Sequence, residues 1–147
     1  MEDKFKKMER TLYDYRKLDT AINNIDIDIE HLKNDITLKG VSYEERSSPT
    51  NAFSSIVENE VIKRSEHMEK EIARLKSLKA DKMALRAKIY NALKDLKDHE
   101  SKLVKLRYLD KDRRTWLDIG LELGFDMGYC QKLRNKIINE LTESIYP

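Results

Sequence analysis

Between Tyr15 and Ile36 the large apolar residues fall at Tyr15, Leu18, Ile22, Ile25, Ile29, Leu32 and Ile36, in alternating steps of three and four. This is the spacing that lines one side of a helix and that a coiled-coil seam repeats. Asp19, Asn23, Asn24, Asp26, Asp28, Glu30, Lys33 and Asp35 fill the positions between them, so one face is apolar and the remainder is wet. Ile27 lies off the stripe, which implies a second covered surface. Gly40 predicts a left-handed helix stop. The run that follows, with Ser47-Ser48-Pro49-Thr50-Asn51 inside it, reads as a connector over 40–54.

Ser55 followed by Glu58 has the form of a capping box and predicts the start of a second helix. Its stripe is Val57, Val61, Met68, Ile72, Leu75, Leu78, Leu85, Ile89, Leu93 and Leu96, interrupted at Lys82, and it predicts a helix to about Lys97. Lys63, Arg64, Lys76, Lys79 and Lys82 alternate with Glu66, Glu69, Glu71 and Asp81, the arrangement of a solvated, self-neutralising face. Helices of about 30 and 40 residues would reach roughly 45–60 Å at the usual rise, too long for each to bury its stripe in a compact monomer. They can fold back as an antiparallel hairpin, pair with a second copy, or do both. The expectation is a homo-oligomer, a dimer first, held by these helices.

After Leu96 the long seam gives way to three short helical units. Asp98 is placed to cap a helix carrying Leu103, Val104, Leu106 and Tyr108, and Asp110-Lys111-Asp112 reads as a polar turn. Thr115 caps the next helix, where Trp116, Ile119, Leu121 and Leu123 are expected to face inward while Asp118 and Glu122 face water. Gly120 sits inside that helix at a cost of about 1 kcal/mol relative to alanine, so a close neighbour must require its small size. Gly124 suits a left-handed turn with Phe125 beneath it. Asp126 then caps a third helix with Cys130, Leu133, Ile137 and Leu141 on its inner face.

The other face of that third helix presents Met127, Gly128, Tyr129, Gln131, Lys132, Asn135 and Lys136, with Arg134 at its edge. Hydrogen-bonding groups that read base edges stand there among cations that hold phosphates. From Asp126 to Asn139 three cations oppose one carboxylate. Arg113 and Arg114, at the entrance to the second short helix, are placed to grip a phosphate backbone beside the groove. Two domains follow: a helical hairpin or coiled coil over 1–97, and a helix-turn-helix over 98–147. The fold class is all-α.

Composition agrees. Charged residues make up 38% of the 147 and hydrophobic ones 39%, with only four glycines and two prolines, a balance that favours long helices over a turn-rich β fold. The formal net charge of +2 decides nothing about partners, because DNA binding depends on where cations cluster. Cys130 is the single cysteine; it can form no internal disulfide and reads as a small buried hydrophobe in a reducing, cytoplasmic compartment. His31, His67 and His99 lack companion ligands, so no metal site is expected. No cofactor-binding loop, nucleophile with a base partner or paired-carboxylate frame is present, and an enzyme is not expected. Nor does any apolar stretch have the length of a signal or membrane span.

The runs Glu100 to Tyr108, Thr115 to Phe125 and Cys130 to Ile137 together resemble region four of bacterial sigma factors over about the last third of the chain. In that family the Leu-Arg-Tyr run, here Leu106-Arg107-Tyr108, ends the supporting helix. The Trp-x-x-Ile-small segment, Trp116 to Gly120, is the first helix of the motif, and the segment after Gly124-Phe125 enters the major groove. The chain departs from the family at Asp126 and Gly128, where Ser or Thr is usual, and has no promoter-melting second region, so it is no complete sigma factor. The layout as a whole resembles the RinA and ArpU group of phage late-gene regulators.

That resemblance implies a sequence-specific transcription regulator, an activator of phage or prophage late genes in a bacterial host. It would bind double-stranded DNA as an oligomer, with host RNA polymerase as a further candidate partner. Two alternatives stay open: a DNA-packaging recognition subunit similar to phage small terminases, which commonly place the DNA module first, and a structural coiled-coil protein without DNA binding.

Overall fold

The structure, a computed structural model, describes the backbone of residues 3–45 and 51–147, and the side chains of 3–36 and 58–147. It is all-α. Helix α1 spans Lys4–Glu45, α2 Asn51–Lys94, α3 Asp98–Val104 with a π-helical continuation Lys105–Leu109, α4 Trp116–Leu123 and α5 Met127–Ile145. No strand occurs among the described residues, and none of their helices is long and apolar enough to cross a membrane.

The two long helices differ from the sequence expectation at their facing ends. Helix α1 runs through Gly40 to Glu45, and α2 is already helical at Asn51, so neither the Gly40 stop nor the Ser55 start is used. One glycine weakens a helix by only about 1 kcal/mol, and a long packed helix overrides that. The central part of the expected connector, 46–50, lies outside the described residues.

The chain divides into two compact units, Thr20–Met83 and a discontinuous unit made of Met1–Asp19 and Ala84–Pro147. In the first, Ile25 and Ile29 of α1 pack with Ile72 and Leu75 of α2, flanked by Leu32 and Ile36, and Lys79 Nζ meets Asp26 Oδ1 at 2.5 Å. The α1 stripe is therefore covered by α2 of the same chain as an antiparallel hairpin, and its burial requires no second copy. Ile27, expected to lie under a second surface, is 64% exposed.

In the discontinuous unit, Met8, Leu12 and Leu18 of α1 and Ile89 and Ala92 of α2 share one core with Leu103, Val104, Leu106, Tyr108, Ile119 and the inner face of α5. Arg86 pairs with Asp19 alongside. Phe5, Met8 and Leu12 extend the Tyr15 seam backwards at the same three–four spacing. At the break between α2 and α3, Lys97 rather than Asp98 is the N-cap and its N–H donates to Glu100 Oε1 at 3.1 Å. The core nonetheless continues across that break.

Candidate nucleic-acid interface

The helix-turn-helix is built by three local devices. Thr115 Oγ1 accepts from the Asp118 N–H at 3.2 Å and opens α4; Asp126 Oδ2 accepts from the Gly128 N–H at 3.1 Å and opens α5. Each satisfies a backbone donor that a helix start leaves free. Between them Gly124 takes φ 74°, ψ 28°, a left-handed conformation that a side chain disfavours. The crossing itself depends on Gly120: a Cβ there would stand 2.7 Å from the Phe125 carbonyl oxygen and 3.7 Å from the Met127 nitrogen. The Phe125 N–H donates to the Gly120 carbonyl at 2.9 Å, closing the turn onto α4.

Cys130, Leu133, Ile137 and Leu141 are buried as the spacing predicts, and Ile138, Thr142 and Ile145 join them. Burial pushes the Cys130 thiol above its ordinary pKa, with Asp126 adding to the shift, so the group stays a neutral thiol, as an inert core cysteine should. Leu121, expected to face inward, is instead 75% exposed, and Leu117 one turn earlier is exposed beside it. With α4 only two turns long, Ile119 at 0% exposure and Gly120 are its buried residues, flanked by the partly buried Trp116 and Leu123.

On the outward side of α5, Met127, Gly128, Tyr129, Lys132, Asn135 and Lys136 are exposed and Gln131 is half-buried. Tyr129 leans edge-on against Phe125, ring centroids 5.0 Å apart, and Phe125 in turn meets His99 at 5.9 Å. Lys132 has no hydrogen bond or ion pair among the described residues. Lys136 stands 3.7 Å from Glu100 Oε2 and 3.9 Å from Glu140 Oε1. Since Glu100 Oε2 is buried with no hydrogen-bond partner, Lys136 supplies the charge that a buried carboxylate needs.

The expected cations divide. Arg134 does not stand free at the edge of the face. Its Nε donates to Asn135 Oδ1 at 2.8 Å and its Nη1 to Glu9 Oε2 at 3.3 Å, and its guanidinium lies 5.1 Å from the Trp116 ring centre and 5.4 Å from that of Phe5. Arg107 covers the same indole at 4.5 Å, so Trp116 lies in contact with two guanidiniums, an arrangement its ring quadrupole favours. Arg114 pairs with Glu122. Arg113 is exposed, donates to Tyr13 Oη at 2.6 Å and stacks on that ring at 4.7 Å.

Sequence reasoning missed what α1 brings to this module. Glu9 Oε2 accepts from the Tyr108 hydroxyl at 2.6 Å as well as from Arg134. Burial first, and then the Glu9 carboxylate, push the Tyr108 phenol well above its ordinary range. The extension of the seam back to Phe5 was the available signal; the pairing of Glu9 with residues about a hundred positions away has no local signature.

No curated protein and no solved structure matches the chain. A family model does match, over residues 1–143. The chain belongs to the DUF722 family, described as protein of unknown function.

Proposed function

We propose that this chain is a sequence-specific, duplex-DNA-binding transcription regulator of the RinA and ArpU kind, an activator of phage or prophage late genes in the cytoplasm of a bacterial host. It has no catalytic role in this reading. The observation that carries it is the outward face of α5: behind a turn fixed by Gly120 and Gly124, Gly128, Tyr129, Lys132 and Asn135 stand open to solvent, and Lys132 is committed to no carboxylate. Tight helix–helix crossing with a free polar face on the second helix is what major-groove reading requires.

In this reading Lys132 and Arg113 contact phosphates, while Gly128, Tyr129, Gln131 and Asn135 approach base edges, with Met127 at the helix start. Arg134, Arg114 and Lys136 hold the module together through Glu9, Glu122 and Glu100, so they position the reading face rather than touch DNA first. The protein acts as an oligomer, a dimer reading paired half-sites, with exposed apolar residues of the hairpin such as Ile62 and Met83 as the surface available for pairing. Host RNA polymerase is a candidate second partner.

The test is selection of bound fragments from phage and host genomes at physiological salt. One enriched motif is expected. Lys132→Ala should weaken every site alike and lower the salt slope by about one, whereas Asn135→Ala should relax a single base position. Enrichment of no motif above random fragments would reject the reading.

A further inference from the structure

Apart from the α5 face, the discontinuous unit holds a pocket of about 200 Å³ between the start of α1 and the segment that joins the π-helical turn to α4. Four cations line it: Arg16 from α1, and Arg107, Lys111 and Arg113 from the joining side. Tyr13 and Tyr108 form an aromatic wall, their rings edge-on at 4.9 Å, and Asp110 is the single carboxylate of the lining.

The cations of the pocket form no ion pair among the described residues. Elsewhere in the molecule Arg74, Arg86, Arg114, Arg134, Lys79 and Lys136 each face a carboxylate. In the pocket the partners are neutral oxygens. Arg16 Nη1 donates to the Asp110 carbonyl at 3.1 Å, Arg107 Nη1 to the Arg114 carbonyl at 2.8 Å and Arg113 Nη2 to the Tyr13 hydroxyl at 2.6 Å. Lys111 is exposed with no partner among the described residues, and the buried Arg107 Nε–H has no acceptor.

Neutral oxygens orient a guanidinium without cancelling its charge. Like charges gathered around one concavity repel one another and focus a positive potential into it, and an anion that enters relieves both. Three arginines bring planar donor forks that match the oxygens of a tetrahedral oxyanion. The volume lies below the range usual for drug-sized ligands, which suits one small anionic group better than a whole nucleotide.

We propose that this pocket binds a phosphate group, held by Lys111, Arg16 and Arg113 against the Tyr13 ring. The group has two sources: a free phosphate or phosphomonoester, or a backbone phosphate of bound DNA. Only the second rests on the function proposed above. In that case α1 takes part in DNA contact as well as in packing.

The experiment is a titration of the full, arginine-¹⁵Nε-labelled chain with inorganic phosphate against chloride at equal ionic strength, following the Nε–Hε resonances. The expected result is saturable movement of Arg16, Arg107 and Arg113 with Arg74 unmoved, and affinity reduced about tenfold in Lys111→Gln. Lys111 is exposed and unpartnered, so this variant should keep the fold, and an unchanged spectrum of the remaining resonances checks that it does. Movement that fails to saturate, equal movement of Arg74, or phosphate affinity within twofold of wild type in Lys111→Gln would each overturn the site.

The salt dependence of duplex binding then separates the sources. A slope lower by about one in Lys111→Gln identifies a backbone phosphate; an unchanged slope beside a saturable phosphate titration identifies a free ligand. If no duplex is bound at all, the DNA reading fails while the titration still decides the pocket.

Discussion

Leu12 lies on the first helix, yet it is 0% exposed in the core that closes the helix-turn-helix. Truncating it to alanine removes three buried carbons from a site whose neighbours come from several helices, so the site cannot collapse freely. The usual cost of such a change is about 2–5 kcal/mol, a large share of the roughly 5–15 kcal/mol that holds an ordinary domain folded. Trp116 is the only tryptophan and contacts the Arg107 and Arg134 guanidiniums, so its fluorescence follows the unit that holds the helix-turn-helix. With about 4–8 °C lost per kcal/mol in a unit of 60–100 residues, Leu12→Ala should lower the midpoint seen by Trp116 by about 8 °C or more. Ile27→Ala, at a position 64% exposed, serves as the control and should stay within about 0.5 kcal/mol of wild type. Were the N-terminal helices a detachable oligomerisation arm, the Trp116 transition would not move in Leu12→Ala, and an unmoved transition refutes the shared core. The same reasoning predicts that a fragment of 98–147 alone will not fold cooperatively, contrary to the independent module that the sequence implies.

Gly120→Ala brings a methyl within 2.7 Å of a backbone oxygen; the gain of about 1 kcal/mol in helix propensity is outweighed by overpacking of about 1–3 kcal/mol, and a rise in urea midpoint would contradict the crossing described. Arg134→Ala should cost about 1.5–3 kcal/mol by removing the charged partner of Glu9 and leaving it the Tyr108 hydroxyl, whereas Lys132→Ala should leave stability within about 0.5 kcal/mol; equal effects on the Trp116 transition would count against this division of labour. Tyr108 has its phenol raised above the ordinary value of 10.0. Its contribution to stability is therefore present in full below about pH 10 and is lost as pH climbs through the folded-state value. Urea unfolding above about pH 10 should show a steeper decline for wild type than for Tyr108→Phe, and parallel declines would exclude Tyr108 as the titrating group.

The C-terminal module was legible because its signals are local. Thr115, Gly124 and Asp126 act through backbone groups within a few residues, and the steps Cys130, Leu133, Ile137, Leu141 turn with the helix. The α1 stripe was legible for the same reason. Helix ends in the hairpin were not, because the propensity cost of Gly40 is small beside the packing of a 42-residue helix. Leu121 misled because hydrophobicity says nothing of how short α4 is. The division of cations was least accessible: whether Arg134 meets DNA or Glu9 depends on α1 arriving from the far end of the chain.

That arrangement governs how the protein must be made. Leu12 leaves the ribosome more than a hundred residues ahead of α5, which completes its surroundings. At roughly 5–20 residues per second of synthesis the interval is on the order of ten seconds. The hairpin Thr20–Met83 is a compact unit of its own and can close during that time, but Met8 and Leu12 stay incompletely covered until α5 has emerged. A premature stop before α5 therefore leaves a sticky nascent product, open to chaperones and proteases, rather than a smaller working protein.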